Sequence, residues 1–408
     1  MIEKTLAELT LNITDGKHGD CRGKDDSGFY FISCKDVRDG HIHYEDARQI
    51  IEEDFWDAHK RTQLEPDVIL VTNSGTIGRM AFIRDVPLTY KTTFQKSVAI
   101  VKPDKSKVLP KYLYYQLQNC VERFINQSNG SAQKNLLLST MRAFKMHIHE
   151  DEDTQARIAA ILSSYDDLIE NNQKQIKLLE EAARRLYKEW FVDLRFPGYE
   201  NTPILDGVPQ GWKESIFSDV FDFIRGKSYT SKELSETDGV LMVNLKNIKS
   251  YGGYKRNAEK RFTGAYKDEQ LLVGGDVVMG VTDMTQERRL VGHVAIIPSF
   301  KEKMTFSMDL IKLIPYSISK NYLYCALRYG GYSEQIAPLA NGVNVLHLKP
   351  EAMMKMKMLV PSKDTMEKFD GQFEAIRLKI EALEKQCDLA AQARDRLLPK
   401  LMSGELEV

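Results

Sequence analysis

Long hydrophobic runs are missing from this sequence. The longest apolar stretches, such as Val68–Val71 and Leu136–Leu138, are far shorter than the roughly 18 to 20 residues that a membrane-spanning helix needs. The first residues, Met1–Lys4, lead into mixed polar sequence rather than into a basic region and an apolar stretch, which does not fit a secretory signal. These two absences predict a protein without membrane spans that stays in the cytoplasm.

Paired cysteines and clustered histidines are also missing. The five cysteines are an odd number without a Cys-x-x-Cys pair, as expected of reduced thiols with a structural role. The eight histidines form neither a His-x-x-x-His nor a His-Glu-x-x-His motif, and His41/His43 and His147/His149 are each two residues apart. The sequence therefore predicts no metal site.

Motifs that carry catalysis are absent too. There is no glycine-rich loop for S-adenosylmethionine, no Asn-Pro-Pro-aromatic methyltransferase motif and no Gly-x-x-x-x-Gly-Lys-Ser/Thr phosphate loop. Charge of one sign is not in excess either, since 57 Lys and Arg face 58 Asp and Glu. Phosphate affinity depends on a local excess of Lys and Arg. We therefore expect a non-catalytic chain whose basic surface, if it has one, is local or supplied by a partner.

What the sequence does contain is an internal duplication. Four segments recur in the same order: residues 31–36 and 242–247, 66–83 and 275–297, 111–114 and 321–324, and 129–130 and 341–342. Asp276 lies 209 residues after Asp67, and Asn341 lies 212 residues after Asn129. Collinear matches at a nearly constant offset are typical of an internal repeat.

Each copy has the same order of parts. Short apolar runs separated by turn sequence predict strands, and a short helix with a Tyr-Leu-Tyr motif, an Asn-Gly loop and a long helix follow. The long helices are predicted from about Thr154, as N-cap, to Phe191 and from about Thr365 to Leu398.

Apolar residues recur every 3.5 positions on average along both long helices, which is the period of a coiled coil. Leu168 lies on this predicted seam, and Asn172 is either a buried, register-setting polar residue or an exposed neighbour of Asn171. The residues predicted to pair the helices are Ile158, Tyr165, Asn172, Leu179, Phe373, Ile380 and Leu383.

These patterns predict an α+β fold with a pseudo-twofold internal repeat. Two β-rich domains, residues 1–150 and 196–364, alternate with two long helical arms, residues 151–195 and 365–408, that pair as an antiparallel coiled coil. A helix of about 35 residues spans about 50 Å, more than the ~34 Å between faces one turn apart on B-DNA. Two similar readers at a fixed separation suit a DNA duplex with two features at a fixed spacing.

The long helices also carry a family resemblance. Gln155–Leu162, Leu168–Asn172, Leu178–Glu180 and Leu186–Phe191 resemble the central conserved region of type I restriction-modification specificity subunits (the HsdS family), and Ala393–Leu406 is similar to the distal conserved region. The resemblance extends over nearly the whole chain. It implies that residues 1–150 and 196–364 are target recognition domains, each reading one half of a bipartite DNA sequence.

The resemblance implies partners as well. Two methyltransferase (modification) subunits, which carry S-adenosylmethionine, would grip the helical arms, and a helicase-nuclease (restriction) subunit is an optional further partner. The chain itself would bind no cofactor. Tyr187, Trp190 and Phe191 are candidates for contact with the methyltransferase, although aromatic residues at a helix end also pack on their own domain.

Polar turns between the apolar strands are the first candidates for base contacts, because hydroxyl, amide and guanidinium groups match the groove edges of DNA. Basic, glycine-containing loops near the start of each domain are candidates for phosphate contacts. The candidate DNA-contacting residues are Thr72, Asn73, Ser74, Thr76, Arg79, Thr282, Gln286, Arg288 and Arg289 in the turns, and Lys17, His18, Arg22, Arg225 and Lys227 in the loops. Solvated turns and ordinary surface loops are the alternative interpretation.

An alternative function is a coiled-coil adaptor that holds two proteins and never touches nucleic acid. It accounts for the long helices and for the near-zero net charge, but not for the duplicated β-rich domains.

Overall fold

The computed structural model describes residues 1–128 and 134–408, which fall into two compact units. The first unit comprises residues 1–171 and 386–408, and the second comprises residues 172–385. Both long helices are divided between the units, so this division differs from the predicted boundaries of the helical arms. Asn129 and Gly130, which carry one of the repeat matches, lie outside the described residues.

The first unit is built from short strands and helices. Its strands are β1 (Ile2–Thr5), β2 (Thr10–Asp15), β3 (Tyr30–Ile32), β4 (Val37–Arg38), β5 (His41–Ile42), β6 (Ile69–Thr72), β7 (Met80–Phe82), β8 (Thr92–Phe94), β9 (Val98–Pro103) and β10 (Lys145–Ile148). Its helices are α1 (Glu52–Thr62), α2 (Pro110–Asn119), α3 (Val121–Asn126), α4 (Leu138–Ala143) and the first part of α5 (Glu152–Tyr187).

The second unit has the same mixture of elements. Its strands are β11 (Ile204–Leu205), β12 (Val208–Pro209), β13 (Lys213–Ile216), β14 (Phe221–Arg225), β15 (Leu234–Ser235), β16 (Val240–Val243), β17 (Lys260–Phe262), β18 (Val277–Gly280), β19 (Thr282–Asp283), β20 (Val294–Ile296), β21 (Met304–Phe306), β22 (Leu310–Pro315), β23 (Leu346–His347) and β24 (Lys357–Val360). Its helices are α6 (Lys320–Tyr329), α7 (Tyr332–Ile336), α8 (Pro350–Met353) and most of α9 (Lys363–Ser403). The predicted mixture of helix and strand is confirmed, and α2 and α6 carry the two Tyr-Leu-Tyr motifs.

A four-stranded antiparallel sheet in the order β2-β9-β6-β7 organises the first unit. Side chains alternate across β6, so Ile69 and Val71 pack into one apolar cluster and Leu70 into another. Burial on both faces explains why this strand reads as a continuous apolar run. Leu401 and Met402, from the end of α9, are also buried in the first of these clusters. β3 pairs with β8 in parallel, and β1 pairs with β10 antiparallel.

A four-stranded antiparallel sheet in the order β14-β22-β18-β20 organises the second unit. Val277 and Met279 of β18 face the larger apolar cluster, and Val278 faces a smaller one. β16 pairs with β21 in parallel, and β13 pairs with β24 antiparallel.

The long helices begin slightly before their predicted first residues. The Asp151 carboxylate accepts hydrogen bonds from the Thr154 N–H (2.8 Å) and hydroxyl (2.6 Å), so Asp151 caps α5 and the predicted N-cap, Thr154, lies in the first turn. The Ser362 hydroxyl accepts a hydrogen bond from the Thr365 N–H at 3.2 Å in the same way. α5 ends in a single π-helical turn, Lys188–Val192. None of the described helices is both long and apolar enough to cross a membrane.

The predicted seam residues are mostly covered. Ile158, Asn172, Phe373 and Leu383 are buried, and Tyr165, Leu179 and Ile380 are half-buried. Leu168 is wrongly placed on the seam, because 43% of its surface is exposed while its neighbour Ile169 is half-buried. In a coiled coil, inward-facing residues are separated alternately by three and four positions, which gives an average period of 3.5 residues. The average period does not show which of two neighbouring residues faces inward, because that depends on the order of the three- and four-residue steps.

Candidate nucleic-acid interface

The first basic loop leaves the sheet of the first unit at a close backbone crossing. A Cβ at Gly16 would lie 2.1 Å from the carbonyl oxygen of Phe94, so only glycine fits there. The Lys17 N–H donates to the same carbonyl at 2.8 Å. This crossing fixes the backbone from which the side chains of Lys17 and His18 extend.

The turn between β6 and β7 is held from inside by Thr72. Its hydroxyl donates to the Thr76 carbonyl and accepts the Arg79 N–H at 2.9 Å, and the residue is fully buried. Because its hydroxyl already has an acceptor and a donor partner within the turn, Thr72 drops out of the predicted base contacts and serves as an internal brace. Thr76 and Arg79 are exposed, and Ser74 is half-buried.

Four chain segments of the first unit meet around a polar cleft. The residues that line it are Asp15, His18, Asn73, Ser74, Lys96 and Asn135. The His18 Nε2 lies 2.9 Å from an oxygen of Asp15. The structure thus brings three of the predicted DNA-contacting residues, His18, Asn73 and Ser74, together in one cleft. Sequence reasoning missed Lys96, although it lies in polar sequence beside an apolar run.

The basic loop of the second unit has a similar crossing. A Cβ at Gly226 would lie 2.0 Å from the carbonyl oxygen of Ser307, and the Lys227 N–H donates to the Phe306 carbonyl at 2.8 Å. Lys227 is half-buried and Arg225 is exposed.

Asp283, the last residue of β19, organises the turn that follows this strand. It is fully buried, and its carboxylate accepts the N–H groups of Thr285 (2.9 Å), Leu290 (2.7 Å) and Val291 (3.3 Å). Burial raises the pKa of Asp283, but these hydrogen bonds outweigh it and leave the pKa below its usual value. The hydroxyl of the neighbouring Thr282 already donates to Asp309 at 3.1 Å, so Thr282 also drops out of the predicted base contacts.

The remaining turn residues of the second unit reach the surface to different extents. Gln286 is exposed and donates to the Val343 carbonyl at 2.8 Å. Arg289 is exposed, whereas Arg288 is half-buried with a positive φ of 52°. Gln286 and Arg289 are therefore the better candidates for contact with a ligand.

Three of the predicted phosphate-binding cations already have carboxylate partners. Lys17 pairs with Asp57 (3.0 Å), Arg22 with Asp54 (2.8 Å) and Arg225 with Glu351 (2.7 Å). The hydrogen bond to Asp57 raises the pKa of Lys17, and the hydrogen bonds from Arg22 lower the pKa of Asp54 to about 2. Exposed ion pairs contribute at most about 1 kcal/mol, so a phosphate oxygen can replace the carboxylate at little cost.

The aromatic residues at the end of α5 are not available to a partner. Tyr187, Trp190 and Phe191 are 3%, 5% and 6% exposed and belong to the large apolar cluster of the second unit. Phe191 packs edge-on against Tyr322 and Phe369, with ring centroids 4.9 Å from each. Their own unit covers these three residues, which favours the alternative that aromatic residues at a helix end pack on their own domain.

Metal binding finds no support in the part of the chain that the structure describes, where no group of three or more His, Cys, Asp or Glu is placed to hold an ion. The thiols of Cys21, Cys120 and Cys325 are buried.

The bonding of Asp283 leads to a stability prediction. Asp283→Asn is expected to destabilise the protein by about 1–3 kcal/mol, because the amide loses the charge and one of the acceptor oxygens that three N–H groups share. A carboxyl group with a lowered pKa in the folded state stabilises at neutral pH, and this contribution is lost as the pH falls towards that pKa. The difference between wild type and variant in urea denaturation should therefore shrink in acid.

Asp238→Asn is the matched control, since this carboxylate is exposed. It should change the free energy of unfolding by less than about 0.5 kcal/mol. Equal effects of the two substitutions at pH 7 would contradict the role assigned to Asp283.

Known proteins resemble this chain in sequence and in fold. The model of the type I restriction modification DNA specificity domain matches residues 23–181. The MjaIX specificity subunit of Methanocaldococcus jannaschii is 27% identical over 347 residues, which cover 83% of this chain and 78% of the relative. The HindI specificity subunit of Haemophilus influenzae is 20% identical over 376 residues, covering 75% and 80% of the two chains. Over most of its length, the chain is thus similar in sequence to type I restriction enzyme specificity subunits.

A solved specificity subunit supports the same fold. The crystal structure of the type I restriction-modification system S subunit from M. genitalium superimposes with a TM-score of 0.58 and covers 98% of this chain and 95% of its own, at 16% identity. The region matched by the specificity-domain model runs from Gly23 into α5, so it contains the β6–β7 turn and most of the cleft lining of the first unit.

Proposed function

We propose that this chain is the DNA-recognition subunit of a type I restriction-modification complex and that each β-rich domain reads one half of a bipartite site. The observation that carries the proposal is the gathering of His18, Asn73, Ser74, Lys96 and Asn135 around one cleft in a chain related to specificity subunits. Amide, hydroxyl and ammonium groups are the ones that read and anchor DNA. Catalysis is assigned to the partner subunits.

The matching topology of the two units supports the proposal of two similar readers. In both sheets, β2-β9-β6-β7 and β14-β22-β18-β20, the strand that comes first along the chain pairs with the one that comes last, followed by the second and the third. The parallel pairs β3–β8 and β16–β21 also correspond, as do the antiparallel pairs β1–β10 and β13–β24. This correspondence supports an internal repeat with pseudo-twofold symmetry, and the different turn sequences support different half-sites.

The long helices are proposed to pair as an antiparallel coiled coil. In the first unit, Asp166 of α5 pairs with Arg394 near the end of α9. In the second unit, Tyr187 at the end of α5 contacts Phe369 near the start of α9. The first half of α5 thus contacts the end of α9, and the end of α5 contacts the start of α9. This pattern of contacts supports an antiparallel arrangement. The buried Asn172 supports a register-setting role, since a polar residue in a seam favours one alignment over others.

The paired helices are proposed to set the unread spacer and to dock two methyltransferase subunits that carry S-adenosylmethionine, and a restriction subunit is an optional addition. With Tyr187, Trp190 and Phe191 covered by their own unit, the docking surface has to lie on other residues of the helices.

Co-expression with the genomically adjacent methyltransferase tests this function. The expected result is a methylated split motif, with two specified halves and a spacer of fixed length, when methylated adenines are mapped by single-molecule sequencing of host DNA. A stable complex that neither methylates DNA nor retains a specific sequence would favour the adaptor function instead.

A further inference from the structure

Asn73 combines burial with an unused hydrogen-bonding group. The residue is 5% exposed, and its Oδ1 is buried and accepts no hydrogen bond from the part of the chain that the structure describes. Buried amide groups nearly always have partners, because burial without one costs free energy. This exception lines the polar cleft of the first unit, which is where a ligand would supply the missing partner.

The fold does not require an amide at this position. The Asn73 N–H donates to the Ser97 carbonyl at 3.1 Å, and the Asn73 carbonyl accepts the Leu136 N–H at 2.8 Å. Val281 makes the same two bonds in the second unit, from its N–H to Asp309 (2.8 Å) and from the Leu348 N–H to its carbonyl (2.8 Å). The same backbone arrangement is therefore built around an apolar side chain.

Val281 is 6% exposed and packs in the large apolar cluster of its unit. Asn73 is also outside the left-handed region of φ, so its side chain is not needed to favour that conformation. The carboxamide of Asn73 is thus costly for stability and unnecessary for the turn, as expected of a residue retained for recognition.

The chemistry of the carboxamide selects the class of base. It presents one donor and one acceptor side by side, and the major-groove edge of adenine presents the complementary pair, the N6 amino group and N7. Lys96 and His18, on the same cleft, place cationic or donor groups beside it. These groups suit a ligand that carries phosphates as well as a base edge.

We propose that Asn73 is a specificity-determining residue of the first recognition domain and that its carboxamide pairs with an adenine in the first half-site. The inference rests on the proposed function. Because Val281 occupies the equivalent place, the second domain does not read a base from this position.

The test maps the methylated motif for wild type, Asn73→Val and Asn73→Asp, each as the full chain in complex with the methyltransferase. In the wild-type motif, the first half-site contains an adenine at the position that Asn73 reads. Asn73→Val should reduce the preference for this adenine about tenfold or more, with the second half-site and the spacer unchanged. Asn73→Asp exchanges the donor for an acceptor, so the preference should move towards cytosine, whose N4 amino group donates.

Thermal unfolding of the same proteins separates recognition from a structural role. Asn73→Val should raise the melting temperature by about 2 to 4 °C, because the unpartnered amide is removed. Val281→Asn, the matched control, should lower the melting temperature by a similar amount and leave the first half-site unchanged.

Each unfavourable outcome has a distinct meaning. A wild-type split motif that Asn73→Val leaves intact overturns the inference and leaves the proposed function standing. A lower melting temperature for Asn73→Val would assign the residue a structural role and also overturn the inference. Absence of any split motif with wild type refutes the proposed function, and the inference with it.

Discussion

Replacement of residues 1–150 by the recognition domain of another specificity subunit is expected to change the first half-site completely and to leave the second half-site and the spacer as they are. The described residues that line the cleft of the first unit all lie between Asp15 and Asn135. β1 and β10 pair with Ile2 opposite Ile148, so the two ends of the exchanged segment are adjacent. A segment closed by its own terminal strands can be exchanged without cutting a sheet.

Mapping of methylated adenines for the parent and the exchanged protein measures this effect. The incoming domain has to keep partners for α5, because Arg84 pairs with Glu170 at 2.6 Å and the Tyr115 hydroxyl donates to Asp166 at 2.6 Å. An exchanged protein whose incoming domain has Arg at the position of Arg84 and Tyr at the position of Tyr115 should support methylation. An exchanged protein without these two residues serves as the comparison. A change in both half-sites would refute the assignment of one reader to each domain.

Asp166→Ala is expected to destabilise the protein by about 2–3 kcal/mol, because a half-buried carboxylate that accepts two hydrogen bonds is removed. The Asp166 carboxylate accepts hydrogen bonds from the Tyr115 hydroxyl and from Arg394 Nη1, each at 2.6 Å. Burial raises the pKa of Tyr115, so the phenol stays protonated and remains a donor. Without the carboxylate, the largely covered Arg394 guanidinium loses its partner on α5.

Asp167→Ala provides the control one residue away. Asp167 has a side chain that is 69% exposed and lies 3.8 Å from Arg84, so its removal should cost less than about 1 kcal/mol. Urea denaturation of both variants gives the comparison. If Asp166→Ala proved no more damaging than Asp167→Ala, the contact between α5 and the end of α9 would not hold the first unit together.

Most of the fold that could be predicted from the sequence was predicted from local patterns of residues. Apolar runs bounded by turn residues marked β6 and β18, and the Tyr-Leu-Tyr motifs marked α2 and α6, because strand and helix periods depend on near neighbours along the chain. The period of 3.5 residues marked the long helices for the same reason. The N-cap of α5 was misplaced by three residues, since Asp151 and Thr154 both suit that position.

The candidate site was predictable only in part. The turns were located correctly, but sequence could not show that Thr72 and Thr282 point inward, because hydroxyl side chains serve equally as internal braces and as surface donors. Lys96 joins the cleft through tertiary contacts that have no signature in the chain. The burial of Trp190 and Phe191 likewise depends on Phe369, which lies far away in sequence.

The burial of Leu401 and Met402 in the first unit has a consequence for synthesis on the ribosome. The core around Tyr112 and Ile158 is incomplete until these two residues emerge, about 240 residues later, which takes on the order of 10 to 50 s at about 5 to 20 residues per second. Meanwhile the second unit, continuous in sequence from 172 to 385, can collapse on its own. During synthesis, the second unit would therefore fold before the first unit is complete. A chaperone would act on the apolar surface that the first unit exposes in the meantime.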